Sequence, residues 1–351
     1  MLAPVTHILP FTTIRRERLL PLPGRILVHE GQKVNSLDVV AETHFGKEHL
    51  LIDVAGALGV RAEAAQTLIR IKAGGLVSQG DEIARRKGLV PRVVRAPRSG
   101  QALLIGAGQV FMEVGETAFE MQAGIPGAVT RLIPDRGAEI TFNGALVQGM
   151  WGNGQMNVGL MMPMLSSPEE MLVATQLDVS LRGAVLLAGN CSDPAVLQLA
   201  GELPVRGIIL GSMAPAIVPQ ALQAHYPIIV VDGFGQRPLN SAAYKLLTEN
   251  AKHEVTLNAM APDWQTGVRP EIFIPLPVIQ EPHLPRDEET FALEQRVRLR
   301  RDPHAGAIGT LISLRPRPTI MPSGIRVIAA EVRLESGEQV LVPLANLEVL
   351  G

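Results

Sequence analysis

The chain has 351 residues, which include 32 Lys and Arg, 34 Asp and Glu, and a single Cys. This length predicts more than one hydrophobic core, and the net charge of -2 argues against a chain-wide partner such as duplex DNA or an anionic membrane. One Cys excludes an intrachain disulfide framework, and no apolar run reaches the roughly 20 residues of a membrane-spanning helix, so we expect a soluble cytoplasmic protein.

The first half of the chain is predicted to be all-β. Across residues 19–154, short runs of Val, Ile and Leu are separated by Gly, which favours short strands joined by tight turns. A phrase of strand, Gly turn and strand occurs at 23–43, 68–88 and 126–149. Residues 50–68 instead have apolar side chains at helical spacing, which predicts a helical insertion in a β domain that spans residues 1–160.

Two of these phrases resemble halves of the biotinyl/lipoyl-like barrel-sandwich fold. The matching residues are Gly24, Gly31, Val40 and Ala41 in one half and Gly80, Asp81, Ile83 and Ala84 in the other. In carriers of this family a Lys between the halves holds the cofactor, whereas here the insertion at 50–68 occupies that junction. Neither Lys47 nor Lys72 has the flanking residues of the carriers, so we expect no cofactor. The sandwich-barrel insertions of multisubunit RNA polymerase are the better analogue.

A different pattern follows a Met- and Pro-rich boundary near residues 161–168. Nearly unbroken apolar runs alternate there with amphipathic stretches, as a parallel sheet with helices on both faces requires. The strand-like runs are RGAVLLAG, VRGIILGS, YPIIVVDG and HEVTLNA, and the predicted helices lie at 194–203, 215–224 and 240–252. Residues 170–262 are therefore predicted to form a small three-layer α/β unit.

Polar residues after these strand-like runs define a candidate ligand site. The carboxyl ends of parallel strands meet at one edge of a sheet, where open α/β sheets bind ligands. The candidate ligand-binding residues are Asn190, Ser192, Asp193, Ser212, Asp232, Gly233 and Gly235. The region is also similar to half of a sugar-binding protein or repressor effector domain. Cys191 has no activating His nearby, and neither a catalytic residue nor a metal site is predicted.

Trp151 lies in a Gly-rich segment, residues 144–159, that allows two interpretations. The segment is either an exposed loop in which Trp151 contacts a partner, or a tight turn in which Trp151 packs against the end of a barrel. Composition favours the turn, and Trp151 is kept as a candidate partner contact.

The C-terminal residues 294–351 return to a β pattern after a Pro-rich linker at 263–293. A basic strand, a turn with Gly306 and Gly309, and the late run EQVLVPLANLEVL resemble a KOW-type SH3-like barrel, as in transcription elongation factors and ribosomal proteins. A basic patch that would contact phosphates or a protein consists of Arg296, Arg298, Arg300 and Arg301, with Arg315 and Arg317 nearby. No aromatic platform accompanies the patch, so base recognition is not predicted.

The sequence therefore predicts a mixed β and α/β multidomain protein with barrel-sandwich-like modules, a small parallel α/β unit and a C-terminal SH3-like barrel. Because catalytic groups are missing, the leading hypothesis is a non-enzymatic interaction or scaffold protein, an adaptor on the transcription or translation machinery. This hypothesis predicts a protein partner, or RNA bound through the C-terminal barrel. The alternative is a small-molecule sensor or an enzyme that uses the strand-end cleft of the α/β unit.

Overall fold

Strands dominate the computed structural model, which describes residues 2–45, 48–88, 91–115, 117–263, 267–277, 285 and 288–351. The elements up to residue 163 are β1 (Leu2–Thr6), β2 (Ile8–Leu19), β3 (Arg25–Ile26), β4 (Lys33–Val34), β5 (Val39–Phe45), β6 (Glu48–Asp53), α1 (Val54–Leu58), α2 (Ala62–Leu68), β7 (Leu76–Val77), β8 (Glu82–Arg86), β9 (Arg92–Arg95), β10 (Gly100–Gly106), β11 (Gln109–Val114), β12 (Thr117–Gln122), β13 (Gly127–Ile133), β14 (Gly137–Gln148), β15 (Trp151–Gly152) and β16 (Met156–Pro163).

The elements after residue 163 begin with the helices and strands of the predicted α/β unit. They are β17 (Ala184–Cys191), α3 (Pro194–Glu202), β18 (Gly207–Met213), α4 (Val218–Gln223), β19 (Ile228–Val230), α5 (Ser241–Glu249), β20 (Glu254–Asn258), β21 (Glu271–Pro275), β22 (Glu288–Thr290), β23 (Arg296–Leu299), β24 (Ile308–Ile320), β25 (Arg326–Leu334), β26 (Gln339–Pro343) and β27 (Leu347–Leu350). The predicted linker at 263–293 thus contains two strands, β21 and β22.

One large sheet joins the N-terminal β region to the α/β unit. Its strand order is β15-β19-β18-β17-β16-β20-β21-β14-β13-β4, and β2 also pairs with β14. On one side of β14, β13 pairs with residues 137–141 and β21 with residues 144–148. The partner changes at Gly144. A Cβ there would lie 2.2 Å from the Ile274 carbonyl oxygen, so the close approach of β21 requires a residue without a side chain. The chain is mostly β with several sheets, which is compatible with the predicted mixed β and α/β multidomain character, and through β16 the large sheet crosses the predicted boundary between residues 160 and 170.

The parallel part of this sheet consists of β16, β17, β18 and β19. Successive residues of β17 point to opposite faces, as strand geometry requires. Leu186 belongs to the core cluster that contains Val196 of α3 and Ala221 of α4, whereas Leu187 belongs to the cluster that contains Leu247 of α5. Helices therefore cover both faces of the parallel strands.

The fourth apolar run of the predicted parallel sheet has the opposite direction. It forms β20, which pairs antiparallel with β16, with Glu254 opposite Leu160 and Asn258 opposite Met156. β20 pairs with residues 156–160 of β16, whereas β17 pairs with residues 160–163, starting with Leu160 opposite Ala184. The expectation of four parallel runs was wrong because an apolar run specifies burial and not strand direction.

Residues 48–114 form a module with its own core between β5 and β12. β5 and β12 pair with each other at the base of this module, with Phe45 opposite Thr117. Inside it, the sheet order β6-β11-β10-β7 packs against α1, α2 and the β8–β9 hairpin around Val54, Ile83 and Met112. The predicted helical insertion at 50–68 is thus the strand β6 followed by two short helices within a larger inserted module.

The C-terminal module combines the last strands with the first strand of the chain. Its sheet order is β22-β1-β27-β23-β24-β25-β26, and its core includes Ala3 and Val5 of β1 beside Leu311 and Val332. The strand pairings of the described residues form an open path and no closed barrel. The expected SH3-like barrel stays a prediction, and the N-terminal strand is an addition that the sequence pattern did not indicate.

Candidate functional site

The carboxyl edge of the parallel strands is covered by the chain itself. Asn190, Ser212 and Asp232 are exposed by only 4%, 0% and 2%. Residues 170–172 run alongside the end of β17, where the Asn190 amide donates to the Glu170 carbonyl oxygen at 3.0 Å. Leu239 packs on Gly211, where a Cβ would lie 2.9 Å from the Leu239 Cα. The predicted strand-end cleft is therefore filled by protein.

The polar side chains at this edge bind one another. Asn190 Nδ2 donates to Ser212 Oγ at 2.8 Å and to the Gly235 carbonyl oxygen at 2.9 Å. Ser212 Oγ donates in turn to the Arg237 carbonyl oxygen at 2.6 Å and accepts from the Arg237 amide at 3.1 Å. Among the described residues Asn190 Oδ1 has no hydrogen-bond partner, which leaves a single buried acceptor rather than a set of converging ligand contacts.

The remaining predicted ligand residues have local structural roles. Asp193 caps α3, since its Oδ1 accepts from the Ala195 amide at 2.9 Å. Gly233 and Gly235 adopt φ values of 100° and 104°, which only glycine adopts readily. Burial raises the pKa of the Cys191 thiol to about 11, so this thiol is a weak candidate for a nucleophile.

Ser192 Oγ lies 3.5 Å from Met171 Sδ. Met171 is one of the residues 170–172 that run alongside β17, so this contact is part of the segment that covers the strand ends.

Asp232 belongs to a buried ionic network between the α/β unit and the C-terminal module. Its carboxylate accepts from the Asn240 amide at 2.7 Å and from Arg298 Nη1 at 2.5 Å. Arg298 Nε donates to Glu348, whose other oxygen accepts from Thr6 Oγ1 at 3.1 Å. Arg298 is 2% exposed, so its guanidinium reaches no partner's surface, and its placement argues against the predicted phosphate contact.

Burial disfavours the charges of both Asp232 and Arg298, but the net effect on the two residues differs. Burial raises the pKa of the Asp232 carboxyl, although Arg298 and the hydrogen bonds from Asn240 oppose the rise. Burial disfavours the charge of Arg298 as well, but the adjacent Glu348 and Asp232 carboxylates outweigh that effect and raise the pKa of its guanidinium. Arg298 is therefore a permanent cation held between two carboxyl groups.

The other predicted contacts are spread over separate surroundings. Arg296 is exposed and pairs with Glu335 at 3.0 Å, and Arg301 is exposed. Arg300 is half-buried beside a cavity between modules. Trp151 packs edge to face on Phe234 with ring centroids 6.0 Å apart, which agrees with the packing interpretation of the Gly-rich segment.

That cavity has a volume of about 450 Å³ and lies between β1, the end of β14 and the residues before β21. Its charged side chains are bonded to protein groups, because Arg16 Nη2 lies 2.5 Å from Glu271 Oε1 and Arg269 Nη1 donates to Thr6 Oγ1 at 2.7 Å. Burial also lowers the pKa of Arg269. These contacts therefore join β1 and β2 to β21 and the residues before it.

The outer half of the β24–β25 hairpin, residues 315–328, extends beyond the neighbouring strands, and we call it the arm. Strand β23 pairs with β24 only as far as residue 310, and strand β26 pairs with β25 only from residue 329 onward. Ile320 and Ile325 near its end are 58% and 61% exposed, and Arg317 and Arg326 are exposed. No acidic residue occurs from 303 to 330.

A second basic element, the β8–β9 hairpin of the inserted module, did not emerge from the sequence analysis. Residues 84–98 contain six Lys and Arg and no acidic residue. A count of charges in short windows would have found this segment, whereas the net charge of the whole chain conceals it.

Comparison with models of known protein families and with curated proteins found no match. Within the described ranges, no group of three or more His, Cys, Asp or Glu is arranged to hold a metal ion. The helices of the described residues are all too short or too polar to cross a membrane.

Proposed function

We propose that this protein is a non-enzymatic adaptor that contacts RNA through its C-terminal module, on the transcription or translation machinery. The observation that carries the proposal is the arm. It holds Arg317 and Arg326 away from the body of the protein, in a stretch of sequence that has no carboxylate to neutralise them. A protein partner on the same assembly belongs to the proposal.

The arm is energetically unfavourable unless a partner binds it. A two-stranded ribbon without further neighbours is marginally stable in water, and exposed Ile side chains add an unfavourable apolar surface. Arg315 contributes an ion pair with Glu331 at the base of the arm, whereas the outer part has no comparable contact in the described residues. A partner that covers Ile320 and Ile325 and neutralises the two outer arginines would remove both costs.

The alternative, a small-molecule sensor or an enzyme at the strand-end cleft, has less support. Asn190, Ser212 and Asp232 are buried and bonded to protein groups. A ligand would have to displace residues 170–172 and Leu239 before it reached them. This cover is why we prefer the adaptor.

The finer architecture is part of the same proposal. We infer that the inserted module and its surroundings are barrel-sandwich-like and that β23 to β27 are the strands of a KOW/SH3-like barrel. The order β27-β23-β24-β25-β26 and the positive φ of 88° at Gly306 support the second inference.

The test is binding of the purified protein to a labelled 20-nucleotide single-stranded RNA by fluorescence anisotropy at several salt concentrations. We expect affinity to fall with salt, since released counterions drive phosphate binding. The double variant R317E/R326E should bind more weakly and with a logarithmic salt slope reduced by about 1.4, roughly 0.7 for each lost contact.

The matched control is R136E/R182E, which makes the same change of charge at exposed arginines outside the C-terminal module. Its binding should equal that of the parent apart from a small uniform loss. RNA binding that is independent of salt, or equal loss in both double variants, would contradict the proposed role of the arm.

A further inference from the structure

The inserted module differs in charge from the rest of the protein. Residues 48–114 carry nine Lys and Arg against six Asp and Glu, whereas the other residues carry 23 against 28. The excess lies in the β8–β9 hairpin and the residues that follow it. The inserted module is therefore net positive in a protein of net negative charge.

Two arginines of this hairpin converge on one point. Arg86 and Arg92 face each other across β8 and β9. Arg86 Nη1 and Arg92 Nη1 lie 3.9 and 2.9 Å from the position that a Cβ on Gly59 would occupy. Gly59 ends α1 with φ of 64°, and a side chain there would clash with the Arg92 guanidinium group, so both guanidinium groups approach this point because the residue has no side chain.

The protein holds one of these groups in place without neutralising it. Arg86 Nη1 donates to the Leu58 carbonyl oxygen at 3.1 Å and to the Gly59 carbonyl oxygen at 3.4 Å. Carbonyl oxygens fix the direction of a guanidinium group but leave its charge in place. Within the described residues, the arginine ion pairs of this module involve Arg70, Arg85 and Arg98 and not Arg86 or Arg92.

The nearby carboxylate of Glu82 is surrounded by several arginines. Glu82 pairs with Arg70 at 2.9 Å and also with Arg85, and it stands opposite Arg95 in the strand register. Hydrogen bonding from Arg85 is the main cause that lowers the pKa of Glu82, so this carboxylate stays ionised and is already shared among arginines. Lys87 is exposed at the end of β8 and adds a further charge.

We propose that the β8–β9 hairpin is a second nucleic-acid contact, in which Arg86, Arg92 and Lys87 bind phosphates of the backbone. Guanidinium groups suit phosphate because their N–H groups match the spacing of its oxygens, and two of them about one point can share one tetrahedral anion. The inference rests on the proposed function and deepens it, because it gives the adaptor two phosphate contacts on different modules. Contacts to the backbone alone predict binding without sequence preference.

The experiment uses the full chain and compares K87E/R92E with K72E. Arg92 and Lys87 have no side-chain bond to the fold among the described residues, so their reversal should leave the thermal unfolding midpoint unchanged. K72E changes an exposed Lys elsewhere in the same module. Binding is measured by anisotropy with single-stranded RNA, with DNA of the same sequence and with polyglutamate, in both the parent and the R317E/R326E background.

We expect K87E/R92E to reduce the logarithmic salt slope for RNA by about 1.4, in addition to the loss from the arm, while K72E changes it little. A comparison of RNA and DNA binding by the parent protein then shows which nucleic acid supplies the phosphates. Equal slopes for K87E/R92E and K72E would overturn the hairpin site while leaving the arm intact. Polyglutamate bound as tightly as RNA would also overturn it, in favour of an acidic protein. Loss in K87E/R92E without loss in R317E/R326E would instead contradict the proposed role of the arm.

Discussion

The strand-end edge of the α/β unit and the β8–β9 hairpin use charged side chains in opposite ways. At the edge, Asp232 and Arg298 are buried against each other and join two modules. At the hairpin, Arg86 and Arg92 are brought together in the open without a carboxylate between them. Buried charges depend on their partners, because removal of one leaves the others uncompensated, whereas like charges placed side by side repel each other until an external anion binds them.

The comparison is tested most strongly at Arg298. We expect Arg298→Met to destabilise the protein by about 3–5 kcal/mol, because it leaves the buried Asp232 and Glu348 carboxylates without their cation. The matched control is Arg296→Met, two residues earlier in β23, where the arginine and its partner Glu335 are 52% and 50% exposed. Its cost should stay below about 1 kcal/mol, because exposed ion pairs contribute little. Urea unfolding followed by circular dichroism measures both.

The triple variant D232L/R298M/E348L sharpens this result. Replacement of a whole buried ionic group by apolar side chains is often neutral or stabilising, so most of the loss in the single variant should be recovered. Equal destabilisation by Arg298→Met and Arg296→Met would mean that the network does not hold the modules together.

Arg296 and Arg298 also show what the sequence can and cannot specify. Both lie in the run RVRLRR and belong to one predicted basic patch, and alternation along a strand indicates that residues at this spacing share a face. Arg298 is nevertheless buried, because β23 pairs on both sides and packs against the end of β19, where Asp232 follows. That contact joins residues 66 positions apart, and no local pattern contains it.

The elements themselves were more accessible to prediction than their arrangement. The apolar runs of β17, β18 and β19 and the Asp193–Pro194 start of α3 follow from local rules of burial and capping. The antiparallel direction of β20 and the recruitment of β1 into the C-terminal sheet depend on contacts between distant segments. The candidate ligand residues were correctly placed at strand ends, but the covering residues 170–172 had no signal that would have shown the edge to be closed.

A smaller effect is expected at Ser212. Ser212→Ala removes the hydroxyl that accepts from Asn190 Nδ2 and from the Arg237 amide, and unsatisfied buried groups cost about 1–3 kcal/mol. Ser192→Ala is the control, since among the described residues its hydroxyl contacts only the Met171 sulfur atom and the loss of stability should stay within about 0.5 kcal/mol. Thermal unfolding compares the two. A Ser212→Ala variant as stable as Ser192→Ala would indicate that the edge opens readily, which would revive the ligand site there.

The smallest effect concerns pH and the cover of the strand ends. Hydrogen bonds to the Glu170 carboxylate, first of all from the Ser166 amide, lower the pKa of Glu170. A lowered pKa in the folded state gives stability that is present above the unfolded pKa of about 4.3 and is lost as pH falls through the lower folded value. Glu170→Gln should therefore loosen residues 166–172 at neutral pH and make their amide hydrogen exchange less sensitive to acid.

Glu169→Gln is the matched control for that change, because Glu169 is the exposed neighbour and makes no hydrogen bond to its side chain among the described residues. Its exchange rates at residues 166–172 should follow those of the parent at each pH. Faster exchange confined to Glu170→Gln would show that the cover is held by this carboxylate. Equal exchange in both variants would assign the closed edge to Leu239 and its packing on Gly211, and the contrast with the open hairpin would then rest on apolar contacts rather than on charge.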